Sequence, residues 1–195
     1  MNGFLDALSV WSTTRAAGIT AYVFLFLSTA AGIIMSLKML NGRAKSVLLT
    51  VHQSSGWFGF LFGILHGSVL LFDKYVGYSL GELLFPFTSH SHPVLTGLGT
   101  LSFYIALILI ISSDMMKHLG KKVWRTIHFL AFPGYFMGLI HGFFIGTDTQ
   151  YPWVKTMYFA TAGAVLVLTL FRIAAVKFER RSKPAVNLKP DTSSN

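Results

Sequence analysis

Polar residues fall along this chain in clusters that separate five long apolar runs. The runs cover residues 17–40, 46–72, 94–113, 123–146 and 153–176. Within each, apolar residues occupy most faces of a helix and not a single stripe, the pattern of a segment with no wet side. Each meets the ~20 residues that carry a helix across a ~30 Å hydrocarbon core. The pattern predicts an all-α fold, a polytopic membrane helix bundle with five transmembrane helices, or six if the N-terminal segment counts as another. Residues 1–16 place Phe4, Leu8 and Trp11 at helical spacing around Asp6, which predicts an interfacial segment. They lack the basic start and cleavage site of a signal peptide. Residues 17–176 would form the bundle, and residues 177–195 a basic cytoplasmic tail.

Composition agrees. Of 195 residues, 53% are hydrophobic and 12% charged, against about 25% charged in soluble domains. A soluble globular domain, a disordered chain and a coiled coil are excluded. There is no cysteine, so disulfides, thiolate-bound metal clusters and cysteine nucleophiles are excluded too.

Charge orients the chain. Thirteen of the 16 basic residues flank the first connection (Lys38, Arg43, Lys45), the third (Lys117, Lys121, Lys122, Arg125) or the C-terminal end (Arg172, Lys177, Arg180, Arg181, Lys183, Lys189). Five spans put these three regions on one side. The positive-inside rule makes that side cytoplasmic and leaves the N-terminus outside a cell membrane. The net charge of +9 is therefore topological. The tail can also touch anionic lipid. A nucleic-acid partner is not expected, because no basic groove with interleaved aromatics is present.

Four of the seven histidines lie inside predicted spans. His52 and His66 are 14 residues apart on span 2, and His128 and His141 are 13 apart on span 4. One antiparallel span separates these two, so they run in the same direction. His52 then lies level with His128, and His66 with His141. A six-coordinate b-type haem needs two neutral imidazoles on opposite faces of its iron. Fourteen residues return to within about 40° of one helix face and rise ~21 Å. Thirteen residues leave about 140° between two side chains on an ideal helix. Pro133 and Gly134 lie in that interval and offer local rewinding. Packing histidines bonded to neighbouring helices are one alternative. Metal binding without haem is another, though two imidazoles per level are too few for tetrahedral zinc.

The surroundings fit either a cofactor or plain helix packing. Gly56, Gly59 and Gly63 share a face of span 2, which suits a flat macrocycle or close helix contact. Trp57, Phe60, Phe129 and Phe132 are candidate pocket walls. Arg125 precedes His128 by about one turn and is a candidate partner for a haem propionate, or a positive-inside anchor. In the longest outer connection, His90-Ser-His92 is a candidate iron or copper pair, or simply solvated. Asp73 and Asp148 are candidate cation contacts. His118 reads as an exposed loop residue.

Together these residues resemble the ferric reductase-like transmembrane domain superfamily, which includes ferric reductases, NADPH oxidases and the haem-binding membrane subunit of bacterial methionine sulfoxide reductase systems. The likeness covers residues 46–146. It rests on the 14- and 13-residue histidine intervals, on Trp124-Arg125-Thr-Ile-His128, on the loop from Tyr78 to Phe87 and on Gly146-Thr-Asp-Thr149. Many members have six spans, where five are predicted here. The resemblance implies a stand-alone bacterial-type member with no catalytic side chain of its own. It implies transmembrane electron transfer through two haem b groups ligated by His52, His66, His128 and His141. Residues 177–195 hold no strand–glycine–helix phosphate motif, so a separate cytoplasmic flavoprotein reductase or quinol is the expected donor. Ferric iron, oxygen or a partner protein is the expected outer acceptor. The alternatives are one haem with a flavin (FMN or FAD), and a non-redox membrane subunit or transporter.

Overall fold

The computed structural model describes residues 9–37, 40–73 and 76–181, with side chains as far as Phe178. All regular structure among them is helical. In chain order the helices are α1 (Val10–Ser36), α2 (Gly42–Leu70), α3 (Leu80–Leu84), α4 (Pro93–Asp114), α5 (Met116–Leu119), α6 (Lys121–His128), α7 (Ala131–Ile145) and α8 (Pro152–Arg181), with a 3₁₀ turn at Thr147–Gln150 before α8. Helices α6 and α7 together make one span, Lys121–Ile145, so among the described residues five helical segments are long and apolar enough to cross a membrane.

Four of the spans match the predicted runs to within a few residues. The first does not. Helix α1 starts at Val10 and ends at Ser36, where the run of apolar residues predicted 17–40. Ser9 caps it, its side chain accepting from the Ser12 N–H at 3.2 Å, and a polar first turn is no obstacle to a helix so capped. Residues 10–16, predicted as interfacial, are thus continuous with the span. Phe4, Asp6 and Leu8 of that segment lie outside the described residues, as do Lys38, Lys74, Lys183 and Lys189.

The connections follow from local chemistry. A reciprocal Ser79–Glu82 capping box starts α3, and Pro93 opens α4 at the position where a missing N–H costs least. The chain turns into α6 at Gly120, whose φ of 77° suits glycine.

Helices pair along their lengths. Helix α1 lies against α2, α4 lies against α7, and α8 covers α1. The histidine-bearing helix α2 makes little contact with the α6–α7 span, which bears the other two of the four histidines. Each leans on its own partner, and a slot is left between them. On the far side of α1 a core closes the bundle. Tyr135, Val154 and Val165 are fully buried there. The Tyr22 hydroxyl bonds Thr161 Oγ1 at 2.5 Å and Tyr135 Oη at 3.1 Å, joining α1, α7 and α8. Elsewhere large apolar side chains such as Leu61, Leu166 and Phe171 point outward. That is costly in water but favourable against lipid.

Alternating directions gather Arg43, Lys45, Lys117, Lys121, Lys122 and Arg125 at one end, hereafter the basic end. The other is the loop end. There Arg15 of α1 grips Asp148 of the 3₁₀ turn through two hydrogen bonds, so Asp148 is engaged by a side chain of the protein itself.

Candidate histidine slot

The slot between α2 and the α6–α7 span brings the four histidines together in two pairs. At the basic end the His52 and His128 rings have centroids 6.0 Å apart. At the loop end those of His66 and His141 are 6.1 Å apart. Two imidazoles bound to one metal through ~2 Å bonds, with each centroid ~1 Å behind its nitrogen, need centroids roughly 6 Å apart. Both levels meet that requirement.

The register problem of the 13-residue interval is eased by a break at Phe129 and Leu130. Pro133 has no N–H and cannot close the helical bond to the Phe129 carbonyl, which its ring would also crowd. Instead the chain tightens: Leu130 N bonds Ile127 O at 2.9 Å, and Phe129 N and Phe132 N bond Thr126 O and Phe129 O at 3.3 Å. Such i→i+3 turns advance ~120° per residue in place of ~100°. Phe129 N also keeps its α-helical bond to Arg125 O at 3.2 Å, so the tightening is confined to the break at residues 129–130 and takes up part of the misalignment.

Three of the four imidazoles are anchored at their rear nitrogens. His52 Nδ1 lies 2.8 Å from the Ser28 carbonyl, His66 Nδ1 2.9 Å from that of Thr14, and His141 Nδ1 2.9 Å from that of Leu95. A carbonyl only accepts, so each Nδ1 carries the hydrogen and each Nε2 is left with its lone pair. That tautomer is the one a metal-binding histidine takes when an outer partner orients it. His128 differs. Its Nδ1 is buried with no hydrogen-bond partner among the described residues, and its ring lies against Trp124 with centroids 4.8 Å apart.

Glycines opposite the rings make room. A Cβ on Gly18 would stand 2.9 Å from His66 Nδ1, and one on Gly99 2.5 Å from His141 Nδ1. One on Gly32 would stand 3.2 Å from His52 Cε1. None of these glycines stands out in the sequence by its neighbours alone, because none sits on a ligand helix. Their signal is the interval: Gly18 and Gly32 repeat the 14 residues between His52 and His66.

At the loop end the slot widens into a cavity of about 600 Å³ lined by His66, His141, Gly18, Gly99, Phe60 and Phe103 among others. Pockets for cofactors and small molecules span about 300–1,000 Å³. Gly59 and Gly63 also line it, although Gly59 abuts the backbone of Ala21 and Leu25 on α1, and Gly56 faces Ser28. The glycines of α2 therefore divide, with Gly56 in helix packing, Gly63 on the cavity and Gly59 in both. Phe60 stacks on Phe103 at 5.0 Å. Trp57 lies 6.4 Å from Phe60, is 46% exposed and is not among the residues that line the cavity. Phe132 packs on the tyrosine core, while Phe129 and Arg125 are exposed on the α6 side.

No cluster of three or more His, Asp or Glu side chains capable of holding a metal gathers among the described residues. Among these residues each level offers two imidazoles. That donor set fits a metal that brings its own equatorial ligands, as a haem iron does, and does not fit tetrahedral zinc. In the outer loop both nitrogens of His90 are engaged, Nδ1 with Glu82 and Nε2 with the Val76 carbonyl at 3.1 Å. The ring that an iron or copper pair with His92 would require is thus already bound. His118 is exposed on α5.

No curated protein and no solved structure matches the chain. A family model described as ferric reductase like transmembrane component matches residues 17–139. The match contains His52, His66 and His128 and stops two residues short of His141. It spans more than half of the sequence, and the chain belongs to the ferric reductase-like transmembrane family.

Proposed function

We propose that the chain passes electrons across a cell membrane through two b-type haems, one between His66 and His141 and one between His52 and His128. The observation that carries this reading is the facing of imidazoles at two levels, with centroids 6.0 and 6.1 Å apart. When bound, each haem supplies an iron that accepts and returns a single electron. The chain itself holds the two levels ~21 Å apart through the 14-residue interval on α2. Its carbonyls orient three of the ligands, and its apolar walls keep water from the slot, two of the means by which a protein sets a haem potential. Arg125, at the basic end, is the cation we assign to a propionate. By the positive-inside rule that end is cytoplasmic. The donor is then a cytoplasmic flavoprotein reductase or quinol, and the acceptor is ferric iron, oxygen or a partner protein outside.

A second reading, one haem with FMN or FAD, draws support from the unpartnered Nδ1 of His128, which makes the basic-end level the weaker of the two. Reduced-minus-oxidised spectra with haem counted per chain separate them. Two haems are expected in the native protein, with one lost in His66→Ala or His141→Ala and the other in His52→Ala or His128→Ala. A count near one with flavin in the extract selects the second reading. A colourless protein overturns both.

A further inference from the structure

Helix α1 and helix α4 solve the same problem three times in the same way. In an α-helix the carbonyl of residue i bonds the N–H of residue i+4 and keeps a second lone pair. The side chain at i+4 leans back toward the N-terminus and covers that carbonyl. Here the carbonyls that receive the histidines belong to Thr14, Ser28 and Leu95. The residues four places on are Gly18, Gly32 and Gly99. A Cβ on any of the three would meet the incoming imidazole at 2.9, 3.2 and 2.5 Å respectively.

The fourth case is the informative one. Fourteen residues beyond Leu95 and Gly99 on α4 stand Leu109 and Ser113. The offset is kept but the glycine is replaced. The Leu109 carbonyl accepts from the Ser113 hydroxyl at 2.7 Å and from the Ser112 hydroxyl at 3.1 Å. His128, the histidine on the α6–α7 span at this end, is the one whose Nδ1 has no partner among the described residues.

We infer that Gly18, Gly32 and Gly99 are positioning residues, each of which uncovers a helix carbonyl so that it fixes the tautomer of one histidine, and that Ser113 withholds this from His128. The inference rests on the reading of the histidines as haem ligands for its redox consequence, but not for the tautomers themselves. An Nδ1–H donated to a carbonyl makes the imidazole a stronger donor and favours the oxidised iron. Removing the bond should therefore raise a potential.

The test uses the full chain in nanodiscs with ¹⁵N-labelled histidine, comparing Gly99→Ala, Gly18→Ala and Gly32→Ala with the native protein. Gly163→Ala serves as the control, because a Cβ there meets nothing within 4 Å. The expected result is loss of the carbonyl-bonded Nδ1–H signature from one histidine in each variant. One of the two midpoint potentials should shift positively, most in Gly99→Ala and least in Gly32→Ala, with Gly163→Ala unchanged. Should Gly99→Ala fail to fold, the milder Gly32→Ala decides. Unmoved tautomers and midpoints in a folded variant overturn the inference. Should the native protein hold no haem, the functional reading fails, and the tautomers of the four histidines still decide the inference on their own.

Discussion

Arg15 and Asp148 lie 133 residues apart in sequence and meet in a two-point ion pair at the loop end of the cavity, with Arg15 Nε donating to Asp148 Oδ2 at 2.9 Å and Nη2 donating to Oδ1. The Asp148 side chain is only 12% exposed. Exposed pairs contribute at most about 1 kcal/mol, whereas breaking a buried one costs about 3–5 kcal/mol. This intermediate case should cost about 2 kcal/mol in Asp148→Ala, read as a lower thermal midpoint in detergent. Arg15→Lys should lose about half of that, because a lysine cannot reproduce the fork. An Asp148→Ala midpoint equal to that of the native protein would show the pair to be idle.

Replacing Pro133 should separate stability from cofactor holding. Pro133→Ala restores an N–H that can bond the Phe129 carbonyl, and alanine favours a helix by up to ~3 kcal/mol over proline in an interior position. The straightened span would turn His128 away from His52. The expected outcome is a protein as stable as the native one, or more so, that loses the basic-end haem and keeps the other. Retention of both haems would show that the tightened turn does not set the register.

The outer loop should respond to pH in a defined window. Hydrogen bonds from the Ser79 and His90 backbone N–H groups lead in holding the Glu82 carboxyl at about 2. The Glu82 carboxylate raises the His90 imidazole above its ordinary value. Both partners of His90 accept, so the ring is doubly protonated while Glu82 is ionised. A group whose folded value is raised contributes stability at low pH and loses it as pH climbs through that value. Glu82 contributes above the ordinary carboxylate range and loses its share as pH falls toward about 2. The loop should exchange its amide hydrogens most slowly between these limits. In Glu82→Gln the His90 titration, followed by NMR, should move down toward an ordinary histidine.

Ser113→Gly offers the converse of the glycine substitutions. Made together with Ser112→Ala, because both hydroxyls donate to the Leu109 carbonyl, it should offer His128 an Nδ1–H partner and lower the basic-end midpoint. Ser113→Ala removes the same hydroxyl, and with it the 3.3 Å bond from Trp124 Nε1, but keeps the covering Cβ. It should leave the tautomer of His128 as it is. Identical spectra for the two variants would count against the uncovered-carbonyl account.

Much of this architecture was legible in the residues themselves. Five apolar runs are enough to place five spans, because hydrocarbon length is a property of each segment alone. The pairing of His52 with His128 and of His66 with His141 followed from helix direction and rise. What could not be read was whatever depends on contact between helices. The start of α1 at Val10 depends on a serine cap and lies within a polar stretch. The carbonyl partners of the histidines sit on α1 and α4, which hold no histidine of their own within the spans. Arg15 and Asp148 gave no local sign of each other. The tightening before Pro133 was foreseeable in kind, but its extent is set by which N–H finds which carbonyl.

The slot between α2 and α7 also bears on how such a protein is assembled. Helices α1 and α2 form one hairpin and α4 and α7 the core of another, and every histidine pair takes one ring from each. Neither hairpin by itself brings two imidazoles face to face. A ribosome-bound chain that has delivered only the first hairpin holds His52 and His66 with nothing opposite. Were the proposed haems to bind at these pairs, their loading would belong to the late stage of biogenesis, after the fourth span has entered the bilayer.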